Sequence, residues 1–290
     1  MRLPPIGFGC SPFRRGQRID LEGAVRIAVG AGYRLFDVAE LYGNERAVGR
    51  ALREPQAPPR GDLFLVGKVW RTNFRPEFLR PACESSLRRL GIDAFDLYLL
   101  HAPGAWRYRG PLEEPDDADW ESFERRAIPR DALGEVELDG VSPVETWEAM
   151  QELRRLGLVG SIGVSNFEAA QVEELGPDLP AVNQIAISPY RPSVALVDWC
   201  GERRIRVMAH SPLSPEGLLS DPRLLELATR CRRSPAQIVL RWQIEKGVVP
   251  LPSSVDPGRI VENLAALEFE LEEAALAAVD ALADGAEGAG

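Results

Sequence analysis

Lysine and histidine are nearly missing from this chain. Lys68 and Lys246 are the only lysines among 34 basic residues, and His101 and His210 are the only histidines. No stretch approaches the roughly 18 consecutive apolar residues that a membrane-spanning helix requires. The N-terminal MRLPPIGFGC places proline and glycine where a secretory signal needs an unbroken apolar run. The four cysteines, Cys10, Cys83, Cys200 and Cys231, lie far apart, with no C-x-x-C pair and no metal-ligand spacing. These gaps argue against a disulfide scaffold and a metal centre, and they fit a reducing, cytoplasmic setting. Positive charge is in deficit too. Against 44 acidic residues stand 34 basic ones, a net charge of −10 with an isoelectric point near 5.0, which suits neither nucleic acid nor an anionic membrane surface as partner.

What is present is ordinary for a soluble globular protein, with 45% apolar and 27% charged residues over a length of 290. Eight short apolar runs predict strands at 6–10, 34–39, 63–69, 96–102, 160–165, 181–187, 205–211 and 248–254. Between them lie amphipathic stretches such as LEGAVRIAVGAG, PEFLRPACESSLRRLG and SPVETWEAMQELRRLG, each closed by the glycine that often ends a helix. Continuous apolar runs suit strands buried on both faces. The regular alternation predicts an α/β fold, a (β/α)8 TIM barrel forming a single domain over 1–290, rather than an open sheet.

Two stretches break the rhythm. Residues 103–141, rich in Pro, Asp and Glu, follow the fourth strand and contain Trp106, Tyr108, Trp120 and Phe123. A barrel would hold this long connection over its active-site face. The final ADGAEGAG, 283–290, is expected to fray. Two segments imitate nucleotide-binding loops and fail. GFGCSP has Pro12 at its third glycine position, and GDLFLVGKV is one residue too long, with Val69 where a magnesium-binding hydroxyl should stand.

The scarce polar residues fall at strand ends. Lys68 closes the third predicted strand, His101 the fourth and His210 the seventh, while Asp37 lies near the end of the second and Tyr42 follows it. In such a barrel the strand C-termini converge on the face that carries chemistry. A sheltered ammonium needs a carboxylate, and Asp37 is the neighbour for Lys68. A lysine so held is expected to lower the pKa of a nearby tyrosine from about 10 towards neutrality. That would make Tyr42 a general acid for a carbonyl oxygen, with His101 donating a second hydrogen bond as charge develops there. Each has a plainer reading alone: a structural ion pair, a surface aromatic, a core histidine. Together, at consecutive strand ends, they point to carbonyl reduction or its reverse. Lys246, near a helix end, reads as solvated charge.

Longer blocks carry a resemblance. AGYRLFDVAELYGNERAVGRAL, LFLVGKVW, SLRRLGIDAFDLYLLHAP, WEAMQELRRLGLVGSIGVSNF, AVNQIAISPY and SPAQIVLRWQIEKGVVPLPSSVDPGRIVENL are similar to the successive signatures of aldo-keto reductases, over nearly the whole chain. The resemblance implies a (β/α)8 barrel, a nicotinamide cofactor bound without a Rossmann fingerprint, and a catalytic tetrad of Tyr42, Lys68, Asp37 and His101. It implies that Ser165, Asn166 and Gln184 hold the nicotinamide carboxamide, for which side-chain amides and a hydroxyl are suited. A helix cap before FEAAQVEEL is the alternative for Asn166. Ser211 and Leu213 would pass along the pyrophosphate and ribose, and Ser253, Ser254, Arg259, Glu262 and Asn263 would meet the adenosine end. Trp70 and Trp106 are expected to wall the substrate, Trp70 having a core position as its alternative.

Three departures qualify that picture. Relatives commonly read P-K-S after the eighth strand, the lysine recognising the 2′-phosphate of NADP, whereas this chain reads Pro252-Ser253-Ser254. Arg259 remains, so NADP(H) is favoured over NAD(H) by a small margin. His210 stands where an aromatic residue, usually tyrosine, stacks on the nicotinamide, and a charged imidazole there would disfavour the oxidised ring. Ala102 replaces the usual tryptophan after His101. Relatives that reduce enone C=C bonds carry glutamate in place of that histidine, so His101 favours C=O reduction. The expectation is therefore an NAD(P)H-dependent reductase of aldehydes or ketones, without metal, acting on a small-molecule carbonyl as a monomer or weak oligomer. The alternatives are a catalytically weak or inactive cofactor-binding barrel serving as a regulatory or assembly subunit, and an aldolase-like barrel using Lys68 as a Schiff-base nucleophile.

Overall fold

Each run expected to form a strand forms one in the computed structural model: β1 (Phe8–Gly9), β2 (Leu35–Asp37), β3 (Phe64–Val69), β4 (Phe95–Leu100), β5 (Val159–Ser165), β6 (Val182–Ala186), β7 (Arg206–His210) and β8 (Val249–Leu251). The structure describes residues 1–11, 20–115 and 119–285; Pro12, a short piece of the 103–141 connection and the end of the expected tail, 286–290, lie outside them. The strands pair in parallel in sequence order. The two edges meet where Gly7 N donates to Pro250 O and Gly9 N to Pro252 O, each at 2.9 Å, so the sheet closes into a barrel.

Eleven helices lie between and after the strands: α1 (Leu21–Ala31), α2 (Glu45–Leu52), α3 (Pro76–Leu90), α4 (Trp120–Ala127), α5 (Pro143–Arg155), α6 (Ala169–Glu173), α7 (Val194–Glu202), α8 (Pro222–Cys231), α9 (Pro235–Glu245), α10 (Pro257–Leu264) and α11 (Glu273–Asp280), counted among the described residues. Local sequence sets their ends. Gly32 and Gly91 cap α1 and α3 in the left-handed region, at φ 118° and 68°. Ser142 with Glu145, and Ser234 with Gln237, form capping boxes that start α5 and α9.

The period-two alternation of the strands sorts their side chains into two cores. Leu35, Val66, Leu97, Leu99, Val182, Met208, Val249 and Leu251 fill the barrel, with Leu3 packed against them. Phe36, Leu65, Tyr98, Ile162, Ile185 and Val207 face the helices. Two residues further along, the inward parity of each strand passes from apolar to polar. Asp37 follows Leu35, Lys68 follows Val66, His101 follows Leu99, Gln184 follows Val182, His210 follows Met208 and Ser253 follows Leu251. The same alternation that builds the core therefore delivers the polar set to its upper end.

The connection at 103–141 is not a plain loop. It carries α4 and two antiparallel bridges, Trp106–Leu138 and Arg130–Val136. Its Leu112, Phe123 and Ala127 bury a third, smaller core against Trp70, joined by Trp106 and Trp120. Burial of those aromatics is what orders it. Ala281–Gly285 forms a 310 segment, and the Ala281 and Leu282 carbonyls accept from Arg223. Among the described residues no helix is long and apolar enough to cross a membrane, and all four cysteines are free.

One buried ion pair joins α2 to α3. Arg89 Nη2 lies 2.6 Å from Glu45 Oε2, and the guanidinium also donates to Ser85 Oγ and Ser86 Oγ. Glu45→Ala is expected to cost about 3–5 kcal/mol, because it strands a buried cation. Glu45→Leu combined with Arg89→Met should recover most of that loss in urea unfolding.

Candidate active site

After Asp37 the chain leaves β2 and winds through a 310 turn, Glu40–Tyr42. Gly43 follows at φ 60°, and a Cβ there would lie 2.9 Å from Pro115 Cδ, so conformation and space both require glycine. Asn44 Nδ2 donates to Cys10 O at 2.8 Å, tying the turn to the end of β1. Glu40 ties it to the end of β3. Its Oε2 accepts from Trp70 N at 3.0 Å and its Oε1 from Asn73 Nδ2 at 2.7 Å. Burial pushes the Glu40 carboxyl up to about 7, and its hydrogen bond from Trp70 N, the Arg89 charge and Asn73 oppose only part of that rise. Nothing in the sequence marked Glu40; beside Asp37 in DVAELY, a second carboxylate has no periodic or motif signal.

Tyr42 is thereby placed over Lys68. Lys68 Nζ donates to Asp37 Oδ2 at 2.6 Å and to Tyr42 OH at 3.0 Å. Asp37 Oδ1 accepts from Gln184 Nε2 at 2.8 Å, so both carboxylate oxygens are engaged. Burial presses the Lys68 ammonium down, but Asp37 and Tyr42, by charge and hydrogen bonding, hold it above the ordinary lysine value. Lys68 draws the Tyr42 phenol down by charge and hydrogen bonding, in the expected direction, but not to neutrality. Burial raises the phenol above its usual value, and Asp37 adds to that, outweighing the Lys68 charge. The phenol is therefore fully protonated at neutral pH. His101 sits edge-on to Tyr42 and to Trp70, with ring centroids 5.7 and 5.0 Å away. Burial, then Lys68 and His210, keep it well below the usual histidine range and hence neutral. Its Nδ1 is buried without a hydrogen-bond partner, leaving Nε2 as the nitrogen free to reach a ligand.

These groups open onto a cleft of about 950 Å³. Asp37, Tyr42 and His101 line it, while Lys68 lies behind them. Ser165, Asn166, Gln184, His210, Ser211 and Leu213 line it as well, as do Ser253, Ser254, Arg259, Glu262 and Asn263. Every residue singled out for the cofactor thus faces one cavity, running from the tyrosine to the start of α10. Asn166 is not a helix cap, since Glu168 caps α6; Asn166 Nδ2 instead donates to His101 O at 3.1 Å. Burial and the Lys68 charge pull His210 down to about 4, so the imidazole expected as a possible cation is neutral. Ser253 Oγ is engaged by Gly9 O at 2.6 Å.

Trp70 and Trp106 do not line this cleft. Trp70 is buried, its Nε1 donating to Ala127 O at 2.6 Å and its ring backing His101. Trp106 meets Trp70 edge-on at 5.3 Å and carries the Arg71 guanidinium on its face at 4.1 Å. The lining residues that sequence reasoning missed include Gly9, Ser214, Ser234, Pro235, Ala236 and Asp256. Gly9 ends β1, Ser214 follows β7, Ser234 and Asp256 cap α9 and α10, and Pro235 and Ala236 open α9. Among the described residues, no group of three or more His, Cys, Asp or Glu is placed to hold a metal ion.

The family model described as the Aldo/keto reductase family matches residues 5–284. Aldo-keto reductase family 1 member A1 of Mus musculus is 35% identical, over 97% of this chain and 86% of its own length. Aldo-keto reductase family 1 member C4 of Macaca fuscata fuscata is 38% identical, over 97% and 88%. Among solved structures, the aldose reductase from Schistosoma japonicum superposes with a TM-score of 0.85 at 33% identity, covering 97% of this chain and 89% of that one.

Glu40 gives the unliganded site a pH signature. The folded chain holds its proton up to about 7, against an ordinary value of 4.5. Between those values the unfolded chain binds fewer protons, so stability falls as pH rises through the window and levels off above it. The Glu40 contribution should reach at most about 3 kcal/mol. Urea unfolding of Glu40→Gln beside the parent, from pH 4.5 to 8, should show that slope in the difference between the two, where the opposing contributions of His101 and His210 cancel.

Proposed function

The chain belongs to the aldo/keto reductase family, and on that premise we propose that it reduces an aldehyde or ketone to the alcohol with a nicotinamide cofactor held in the cleft. The observation that carries this reading is the Lys68 ammonium, buried behind the cleft wall and enclosed between Asp37 and Tyr42, which line it. At about 950 Å³ the cavity is at the upper end of ordinary ligand sites and larger than a simple carbonyl needs. Reduced nicotinamide supplies the hydride when bound.

The protein supplies the proton and the electrostatics. Tyr42 holds its hydrogen at rest and donates it to the carbonyl oxygen as negative charge gathers there. The phenolate left behind lies 3.0 Å from an ammonium that Asp37 keeps charged and fixed. Lys68 thus acts on the product of proton transfer more than on the resting phenol. Neutral His101 offers an N–H to the same oxygen. Ser165, Asn166 and Gln184 would hold the carboxamide, Ser211 and Leu213 the middle of the cofactor, and Ser253, Ser254, Arg259, Glu262 and Asn263 its adenosine end. Beside His101, Trp70 backs the ring, and half-buried Trp106 packs edge-on against Trp70 in turn.

The choice between the two nicotinamide dinucleotides turns on Arg259. It is the one guanidinium or ammonium lining the cleft among the described residues, with Asp256 and Glu262 near it. NADP(H) is therefore the proposed cofactor, with weak discrimination. The dissociation constants for NADPH and NADH should differ by less than about tenfold, or 1.4 kcal/mol, and Ser253→Lys should widen the gap in favour of NADPH. Tyr42→Phe should lower kcat by about 10²–10⁴-fold while cofactor affinity holds, read as loss of nicotinamide absorbance over a panel of aldehydes and ketones. Tight cofactor binding with no turnover of any carbonyl would sink the reductase reading and favour a regulatory subunit.

A further inference from the structure

His210 is held from both sides. Its Nε2 lies 2.8 Å from Asn166 Oδ1 and its Nδ1 3.2 Å from Ser211 Oγ. The position of its hydrogen follows from Asn166. The Nδ2 of that residue faces His101 O at 3.1 Å, and a backbone carbonyl can only accept. Asn166 Oδ1 is therefore the atom turned to His210, and it too only accepts, so Nε2 must carry the hydrogen. In a neutral ring the Ser211 hydroxyl then donates to Nδ1. The charged and titratable groups acting on the ring are Lys68 of β3, Asp37 of β2 and His101 at the end of β4. Burial and Lys68 disfavour the imidazolium, with Asp37 opposing.

Both partners have unusual backbones. Asn166 sits at φ 62° and Ser211 at φ 53°, a left-handed geometry that costs a non-glycine residue roughly 1–2 kcal/mol. Side-chain hydrogen bonds on each side of the cleft help keep them there. The contact also ends a continuous series. Asn166 Nδ2 donates to Ser165 Oγ at 3.1 Å, Ser165 Oγ to Gln184 O at 2.9 Å, and Gln184 Nε2 to Asp37 Oδ1 at 2.8 Å. From Asp37 the series passes to Lys68 and Tyr42.

We propose that His210 is a positioning residue: as the Nε2–H tautomer it fixes the Asn166 amide and so preorganises the end of the site that receives the nicotinamide. This rests on the cofactor reading above. A purely aromatic side chain at this position would offer a comparable flat face without the donor that Asn166 Oδ1 meets. The hydrogen bond and the ring face can therefore be separated. His210→Phe keeps a ring and removes the bond, whereas His210→Gln keeps an N–H donor and removes the ring.

The chain has only two histidines, which makes the test direct. Imidazole ¹⁵N spectra of the cofactor-free protein contain two rings, and His210→Phe assigns them. His210 is expected as the neutral Nε2–H tautomer from pH 8 to about 5.5, with no titration near the usual value of about 6.5. The dissociation constant for the reduced cofactor, read by tryptophan quenching, should rise about fivefold in His210→Phe, as for loss of one neutral hydrogen bond. His210→Gln should regain part of that affinity. An Nδ1–H tautomer, a ring titrating near 6.5, or unchanged cofactor affinity in His210→Phe would each overturn the proposal. Failure of the parent protein to bind any nicotinamide cofactor would strike the proposed function instead, with the imidazole spectra still deciding the His210–Asn166 contact.

Discussion

The contact between Lys68 Nζ and Asp37 Oδ2, at 2.6 Å and almost wholly shielded from water, sets the conditions under which the rest of the site exists. An ammonium inside an apolar barrel costs several kcal/mol to desolvate unless its hydrogens are engaged. Here they meet Asp37, Tyr42 and, more distantly, the Val38 carbonyl. Asp37 needs a second donor in turn, and Gln184 provides it from across the barrel. One buried charge thus draws β2, β3, β6 and the tyrosine turn into a single hydrogen-bonded unit. The pairing is a demanding one for stability, and it stands at the end of the barrel where the ammonium also holds the Tyr42 phenol at 3.0 Å.

Burial acts on this unit in two opposed ways, and the balance explains the resting state. It strengthens the attraction between Lys68 and its partners, and it also penalises every charge that is not paired. For Tyr42 the second effect wins, because Asp37 already compensates the lysine charge and a phenolate would have to share it. The two imidazoles feel the same lysine and stay neutral. The cleft is consequently lined, near the tyrosine, by donors that keep their protons and by rings without charge. On the proposed reading, such a surface would accept a nicotinamide in either oxidation state and would reserve the effect of Lys68 for the moment when negative charge forms.

Much of this was legible in the sequence, for identifiable reasons. The eight strands announce themselves because buried parallel strands are continuous apolar runs, and Lys68, His101 and His210 stand out because lysine and histidine are so scarce. Inward parity then places Asp37, Lys68 and His101 on one face without further information. The direction of the Tyr42 shift was not legible, since it depends on how completely the phenol is buried and on how Asp37 divides the lysine charge. Glu40 was not legible either. Its importance comes from two donors, Trp70 N and Asn73 Nδ2, that only the folded turn brings to one carboxylate. The connection at 103–141 read as a loop because its apolar residues are spaced irregularly, and they find a core only against Trp70.

The parts that the sequence hid share a physical character. They are contacts in which a backbone group fixes the chemistry of a side chain: His101 O orienting Asn166, Gln184 O accepting from Ser165, Trp70 N holding Glu40, Gly9 O engaging Ser253. A backbone group offers no residue type to recognise and cannot be exchanged by substitution, yet it decides which way an amide points and which nitrogen of an imidazole is protonated. His210 shows the consequence. In sequence it is a departure from the family's aromatic residue, judged by the charge it could carry. In the fold, burial and the Lys68 charge keep it neutral, while one carbonyl two contacts away sets its hydrogen on the nitrogen that meets Asn166.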